Sequence, residues 1–166
     1  MCYDKITQLC ISANSRELSR KIGVTFANLN PSDRARGLAF SYISIKALTE
    51  PGLAFTTRNR YLFNVLHAAS CCCPAGSYAG YLGEGEILVV MPHCGAEAAE
   101  ASMEAASFYL SHSPAAANGA LTFTFAVAEA GEAMMYGDLD FPGLLTLLRQ
   151  RLSAKNTRAI LAARPG

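Results

Sequence analysis

Two carboxylates, Glu84 and Glu86, flank a glycine in the stretch Tyr81-Leu82-Gly83-Glu84-Gly85-Glu86-Ile87-Leu88-Val89-Val90-Met91-Pro92. A carboxylate pair on a tight turn is one way to hold a divalent cation against a phosphate, because hard cations take oxygen ligands. The same pair also suits an ordinary solvated hairpin tip. Gly83 and Gly85 allow backbone angles that a Cβ forbids. Ile87 to Met91 is a short, apolar, β-branched run stopped by Pro92. The segment reads as an acidic turn entering a buried strand, with both readings of its carboxylates open.

The other residue types able to do chemistry are dispersed. Six cysteines stand at positions 2, 10, 71, 72, 73 and 94. Three are consecutive and none forms a C-x-x-C pair, so zinc spacing is missing. They read as buried, reduced thiols that pack as small hydrophobes. His67 falls in an apolar helical pattern and reads as a packed histidine, while His93 and His112 fall in expected loops. No Ser/His/Asp set follows from spacing.

The elements that must position these groups alternate between two periodicities. Residues 4–29 read as helix, with Asp4 or Asn14 as a cap and Ile6, Leu9, Cys10, Leu18, Ile22 and Phe26 near helical spacing. Leu38 to Ile45 is rich in β-branched and aromatic residues and reads as a strand. A helix follows over 58–70, then a hairpin of strands over about 77–82 and 86–91. An alanine-rich helix over 96–110 has high intrinsic propensity. Leu121 to Ala128 reads as a strand, 140–153 as a helix and 158–163 as a short final strand. This order predicts an α/β (α+β) sandwich: helices on a mixed central sheet of about five strands.

That order, with an acidic Gly-containing turn between the second and third strands, resembles the GGDEF (diguanylate cyclase) domain. Asp4-Lys5-Ile6-Thr7-Gln8-Leu9 looks like the family's opening D-x-L-T-G-L, with Asn14-Ser15-Arg16 near its Asn-Arg. Leu62-x-x-Val65 stands 21 residues before Gly83, the spacing expected between the matching helix and the signature. Leu121 to Ala128 looks like the late T-x-S-x-G-x-A strand, and Ala154-Lys155 with Arg158 like the terminal A-K-x-x-G-R-N. The resemblance covers nearly the whole chain. It implies a nucleotidyl-cyclase-like fold. It also implies a chemistry in which two GTP molecules, one per subunit of a head-to-head dimer, condense to cyclic di-GMP on two divalent ions.

The working positions depart from that pattern. Gly83-Glu84-Gly85-Glu86-Ile87 lies on G-G-D-E-F, so the metal-binding acid becomes Gly85 and only Glu86 survives. The two first-strand acids fall on Ser44 and Lys46, and a lysine there repels cations. The Asn that reads guanine falls near Gly52, and the Gly-Asp that also reads it falls on Arg58-Asn59. The inhibitory R-x-x-D reads Pro74-Ala75-Gly76-Ser77. What the resemblance leaves is a degenerate domain with no catalytic residue, no metal ligand and no cofactor. Its nucleotide-binding candidates are Ser44, Arg58, Asn59, Lys155 and Arg158.

Composition is consistent with that reading. The 51% apolar fraction fits a packed protein rather than a disordered one. The 14 basic and 13 acidic residues give a net charge of +1, without the surface a nucleic acid needs. No apolar run approaches the ~18 residues of a membrane span, and the first residues do not read as a secretory signal. The expectation is a single domain over 1–166, or a fragment of a larger protein. It is cytoplasmic, or the cytosolic part of a membrane-associated chain. It acts as a regulatory, protein-interaction module of bacterial cyclic di-GMP signalling or exopolysaccharide (biofilm) control. Its expected partner is an active cyclase, a secretion-complex component or a neighbouring domain, with a homodimer as a further option. The alternatives are a sensor that holds GTP or cyclic di-GMP without turnover, and a residual cyclase.

Overall fold

The computed structural model describes residues 15–114 and 121–163. Expectations for Asp4 to Asn14, including both proposed caps, lie outside the described residues. Helix α1 spans Ser15–Asn28 and strand β1 Leu38–Ser44. A short 3₁₀ turn, Lys46–Thr49, leads to α2, Phe55–Cys72. Strands β2, Tyr78–Gly83, and β3, Glu86–Pro92, form the expected hairpin. Helix α3 is Ala96–Ser111, and β4 is Thr124–Glu129. A 3₁₀ turn, Ala130–Ala133, and a two-residue hairpin, β5 (Met134–Met135) with β6 (Asp138–Leu139), precede α4, Phe141–Ala163.

The sheet order is β2-β3-β1-β4. β1 lies between β3 and β4, and every pairing is antiparallel. This corrects two details of the expected layered fold. The described sheet has four strands rather than about five, and it is antiparallel rather than mixed. The expected last strand, 158–163, is instead the end of α4. Arg, Ala and Leu are strong helix formers, and the first breaker after Ala163 is Pro165, so nothing stops the helix earlier. At its start, Asp140 Oδ1 accepts the Gly143 N–H at 3.2 Å, an N-cap that satisfies one orphan donor.

Both sheet faces are covered, which is why the strands read as almost continuous apolar runs. Alternate residues go to opposite sides. Leu38, Phe40, Tyr42, Leu88, Val90, Ala126 and Ala128 pack on Leu18, Ile22 and Phe26 of α1 and on Leu144, Leu148 and Leu152 of α4. Ala39, Ile43, Ile87, Val89, Met91 and Val127 pack on Val65 and Leu66 of α2 and on Ala99, Met103 and Ala106 of α3. β4 is shorter than expected at its start because its partner strand ends at Ser44, opposite Thr124. Leu121 and Phe123 are buried all the same, as core residues outside the ladder.

The cysteines separate by environment. Cys94 is buried, but Cys71 is exposed, against the expectation of uniformly buried thiols. Cys71 Sγ lies 3.8 Å from His67 Nε2 on the same helix. Burial, with the neighbouring Cys72 and Cys94, pushes the Cys73 thiol up to about 12. A thiol raised that far stays protonated at neutral pH and is a poor nucleophile. Iodoacetamide on the native protein at neutral pH should therefore modify Cys71 well before Cys73 and Cys94. Peptide mass mapping over time reads this out, and Cys73 labelling as fast as Cys71 would contradict it.

Candidate functional site

The acidic turn is a two-residue connection with Glu84 and Gly85 at its tip, between the paired residues Gly83 and Glu86. Both tip residues have positive φ, +54° at Glu84 and +77° at Gly85. This is the backbone a primed hairpin turn requires, and Gly supplies it without strain. Glu84 points into solvent as an exposed residue. Gly85 is buried: its N–H donates to the Tyr81 hydroxyl at 3.1 Å, and its carbonyl accepts the Ile45 N–H at 2.8 Å. The tip is thus fastened to the chain leaving β1.

At the fourth signature position, Glu86 sits opposite Ser44 in the β1–β3 register. Its carboxylate is 3.8 Å from the Arg149 guanidinium of α4. The same guanidinium donates from Nε to the buried Tyr42 hydroxyl at 3.0 Å. Glu86 therefore already has a cation from the protein beside it.

Beyond Ser44 the end of the sheet opens into a cleft of about 510 Å³ lined by Ser44, Lys46, Thr49, Thr122, Thr124 and Asn156, with Phe123 at its wall. This lining carries one ammonium, hydroxyls and a carboxamide, and no carboxylate. That donor set does not fit a pair of magnesium ions, which need hard anionic oxygens. No group of three or more potential metal-ligating side chains exists among the described residues. The set does suit an anion, since an ammonium, hydroxyls and an amide N–H₂ all donate.

The five expected nucleotide contacts are not in one place. Ser44 lines this cleft. Arg58 Nη1 donates to the Leu48 carbonyl at 3.2 Å, and Asn59 is exposed on α2. Lys155 and Arg158 line a second cleft, of about 530 Å³, with Glu100 and Arg151. There Lys155 Nζ donates to the Phe125 carbonyl at 3.0 Å, stands 3.9 Å from the Phe125 ring centre and meets Glu100 at 3.4 Å. Arg151 donates to the Val127 carbonyl at 2.8 Å and to Glu132 Oε2 at 3.0 Å. These two cations occupy carbonyls on the outer edge of β4, and charged side chains on a sheet edge oppose pairing with another chain. The Glu132 carboxyl is held below its usual range, chiefly by the hydrogen bond from Arg151.

Sequence reading missed Thr49, Thr122, Thr124, Asn156 and Arg149. Thr122-x-Thr124 alternation and the seven-residue step from Arg149 to Asn156 place each pair on one side of its element. Neither pattern says that the two elements converge.

No protein-family model and no curated protein sequence matches the chain. Solved structures do. The active GGEEF domain of a diguanylate cyclase from Vibrio cholerae is 16% identical with a TM-score of 0.70, over 90% of this chain and 92% of that one. The GGDEF domain of DgcB from Caulobacter crescentus, in complex with c-di-GMP, is 15% identical with a TM-score of 0.63, over 94% and 90%. Diguanylate cyclase SiaD from Pseudomonas aeruginosa, in complex with its activator SiaC, is 14% identical with a TM-score of 0.66, over 87% of this chain and 55% of that one. The chain has the GGDEF-domain fold.

Proposed function

We propose that this GGDEF-fold chain does not turn over nucleotide and serves cyclic di-GMP signalling as a cytoplasmic regulatory, protein-binding domain. The observation that carries this reading is the lining of the cleft at the end of β1. Ser44 and Lys46 stand where the resemblance expects acids, Gly85 stands at the signature acid, and Glu86 is beside Arg149. Two-metal catalysis needs anionic ligands to hold ions that clamp the attacking and leaving oxygens. A cation in their place works against it. The complex of the DgcB GGDEF domain with c-di-GMP is a precedent for a nucleotide ligand on this fold, and SiaD, which contains this fold, is found in complex with an activator protein. Among the described residues no helix is long and apolar enough to cross a membrane.

The test is incubation of the protein with GTP and magnesium or manganese, with nucleotides separated by chromatography. No cyclic di-GMP above the no-enzyme control is expected, and time-dependent product would overturn the reading.

A second reading has its own support in the cleft's cationic, hydroxyl-rich lining, which falls in the volume range of small-ligand sites. In it, a phosphate-bearing nucleotide is held there as a signal. Calorimetric titration with GTP and with cyclic di-GMP, each with magnesium and again with EDTA, separates the two. Micromolar binding that survives EDTA and is lost in Lys46→Ala favours the sensor, and silence throughout leaves the protein-binding role.

A further inference from the structure

Near the end of α2, two side chains of metal-ligating type meet well away from the acidic turn. Cys71 Sγ stands 3.8 Å from His67 Nε2. The residues are four apart, about one helical turn, so they lie one above the other on the same side of α2. Cys71 is exposed and His67 half-buried, so solvent reaches the pair. The other described cysteines stand apart from it. Cys72 is turned about 100° around the helix axis and lines a depression with Tyr109 and His112. Cys73 and Cys94 pack with the core.

The imidazole is held in place for this contact. Its ring stacks on Phe63 at 6.2 Å, 2° from parallel, and meets Tyr109 edge-on at 6.0 Å. Nδ1 is buried, which leaves Nε2, beside Cys71, as the nitrogen an ion can reach. A ligand whose rotamer is fixed by packing loses little freedom when an ion binds.

The donor set says which ion. A thiolate with an imidazole takes zinc or copper(I) ahead of magnesium, calcium or manganese. Zinc sites are closed by four protein ligands, or by three with one open position. Among the described residues no group of three or more such side chains exists, so zinc would keep half its shell in water. Copper(I), a soft d10 ion, is satisfied by two ligands. Metal bonds as long as those of zinc, about 2.0 Å to imidazole nitrogen and about 2.3 Å to thiolate sulfur, sum to about 4.3 Å. The pair stands 3.8 Å apart. A small rotation of the exposed Cys71 side chain supplies the difference.

We propose that Cys71 and His67 form a surface site for copper(I), bound by Sγ and Nε2. The ion replaces the thiol proton, which is released to solvent, and no electron is transferred. Occupancy ties the last turn of α2 to the ring that packs on Tyr109 of α3.

The test is an alkylation footprint of the full chain, with copper(I) added anaerobically as its acetonitrile complex. Iodoacetamide labelling, mapped by peptide mass, should slow at Cys71 as copper approaches one equivalent, and before it slows at any other cysteine. His67→Phe keeps a ring between Phe63 and Tyr109, and its far-UV circular dichroism should be native. It should need at least about tenfold more copper for the same protection, a change of about 1.4 kcal/mol. Cys72→Ser should leave protection of Cys71 unchanged. Zinc at the same concentration should not protect. Labelling of Cys71 at one rate with and without copper would overturn the proposal. So would undiminished protection in His67→Phe, loss of protection in Cys72→Ser, or equal protection by zinc.

Discussion

Gly85→Asp, which puts an acid where the resemblance expects one, should destabilise the protein by about 2–5 kcal/mol and create no metal site. Two independent terms add. Gly85 has φ +77°, a left-handed conformation that costs an L-residue roughly 1–2 kcal/mol. A Cβ there would also stand 2.6 Å from the Ile45 carbonyl oxygen and 3.1 Å from Leu48 Cβ. Backbone cannot swing aside as a side-chain tip can, and such overpacking costs about 1–3 kcal/mol. Gly83→Ala is the matched control. Its φ is +93°, but nothing lies within 4 Å of the added Cβ, so only the conformational term, about 1 kcal/mol, is expected. Thermal unfolding should fall by about 5–15 °C for Gly85→Asp and by only a few degrees for the control. A Gly85→Asp protein as stable as the native one, or one that gains magnesium affinity, would mean the turn can still accommodate a catalytic acid. The reading of the site as closed to metal would then fail.

Phe40→Ala should be about as damaging, at about 3–5 kcal/mol. Phe40 is fully buried at the middle of β1, the strand paired on both sides, and points into the cluster shared by α1 and α4. Removing the ring leaves a cavity walled by two helices and the sheet, which cannot all collapse at once. Total stabilities of such domains are about 5–15 kcal/mol, so the variant should lie near the edge of folding. Tyr42→Phe, two residues along on the same face, keeps the ring and loses only the hydroxyl that accepts from Arg149. Its expected cost is about 1 kcal/mol. Denaturant titrations should show the midpoint shifting with the slope unchanged. A Phe40→Ala loss under about 1 kcal/mol would contradict the packing described for this face.

Most of the scaffold was legible in the sequence because its signals are local. The β2–β3 hairpin follows from Gly83-Glu84-Gly85 before a β-branched run, and α3 from its alanine-rich propensity. Strand β1 follows from its β-branched and aromatic residues. The missed elements are the small β5–β6 hairpin and the extension of α4 to Ala163. The first turns on Tyr136 and Gly137, both with positive φ, where a tyrosine gives little warning of a turn. The second was misread because Ala159 to Ala163 is apolar and short, and periodicity alone does not separate a strand from a helix end at that length.

By itself the sequence determined the residue types available for chemistry, among them Ser44, Lys46 and Gly85 at positions where the resemblance expects acids. It also determined the order of elements that brings those positions to one end of a sheet. Only the tertiary structure decided how the charged side chains are used. Lys155 is bound to the edge of β4, Arg149 stands between Glu86 and Tyr42, and Gly85 is pressed against the Ile45 carbonyl. The reason is range. Turn and strand preferences arise between neighbours, whereas Lys155 meets Phe125, and Arg149 meets Tyr42, across 30 and 107 residues of chain. Such contacts exist only once helices have packed on the sheet.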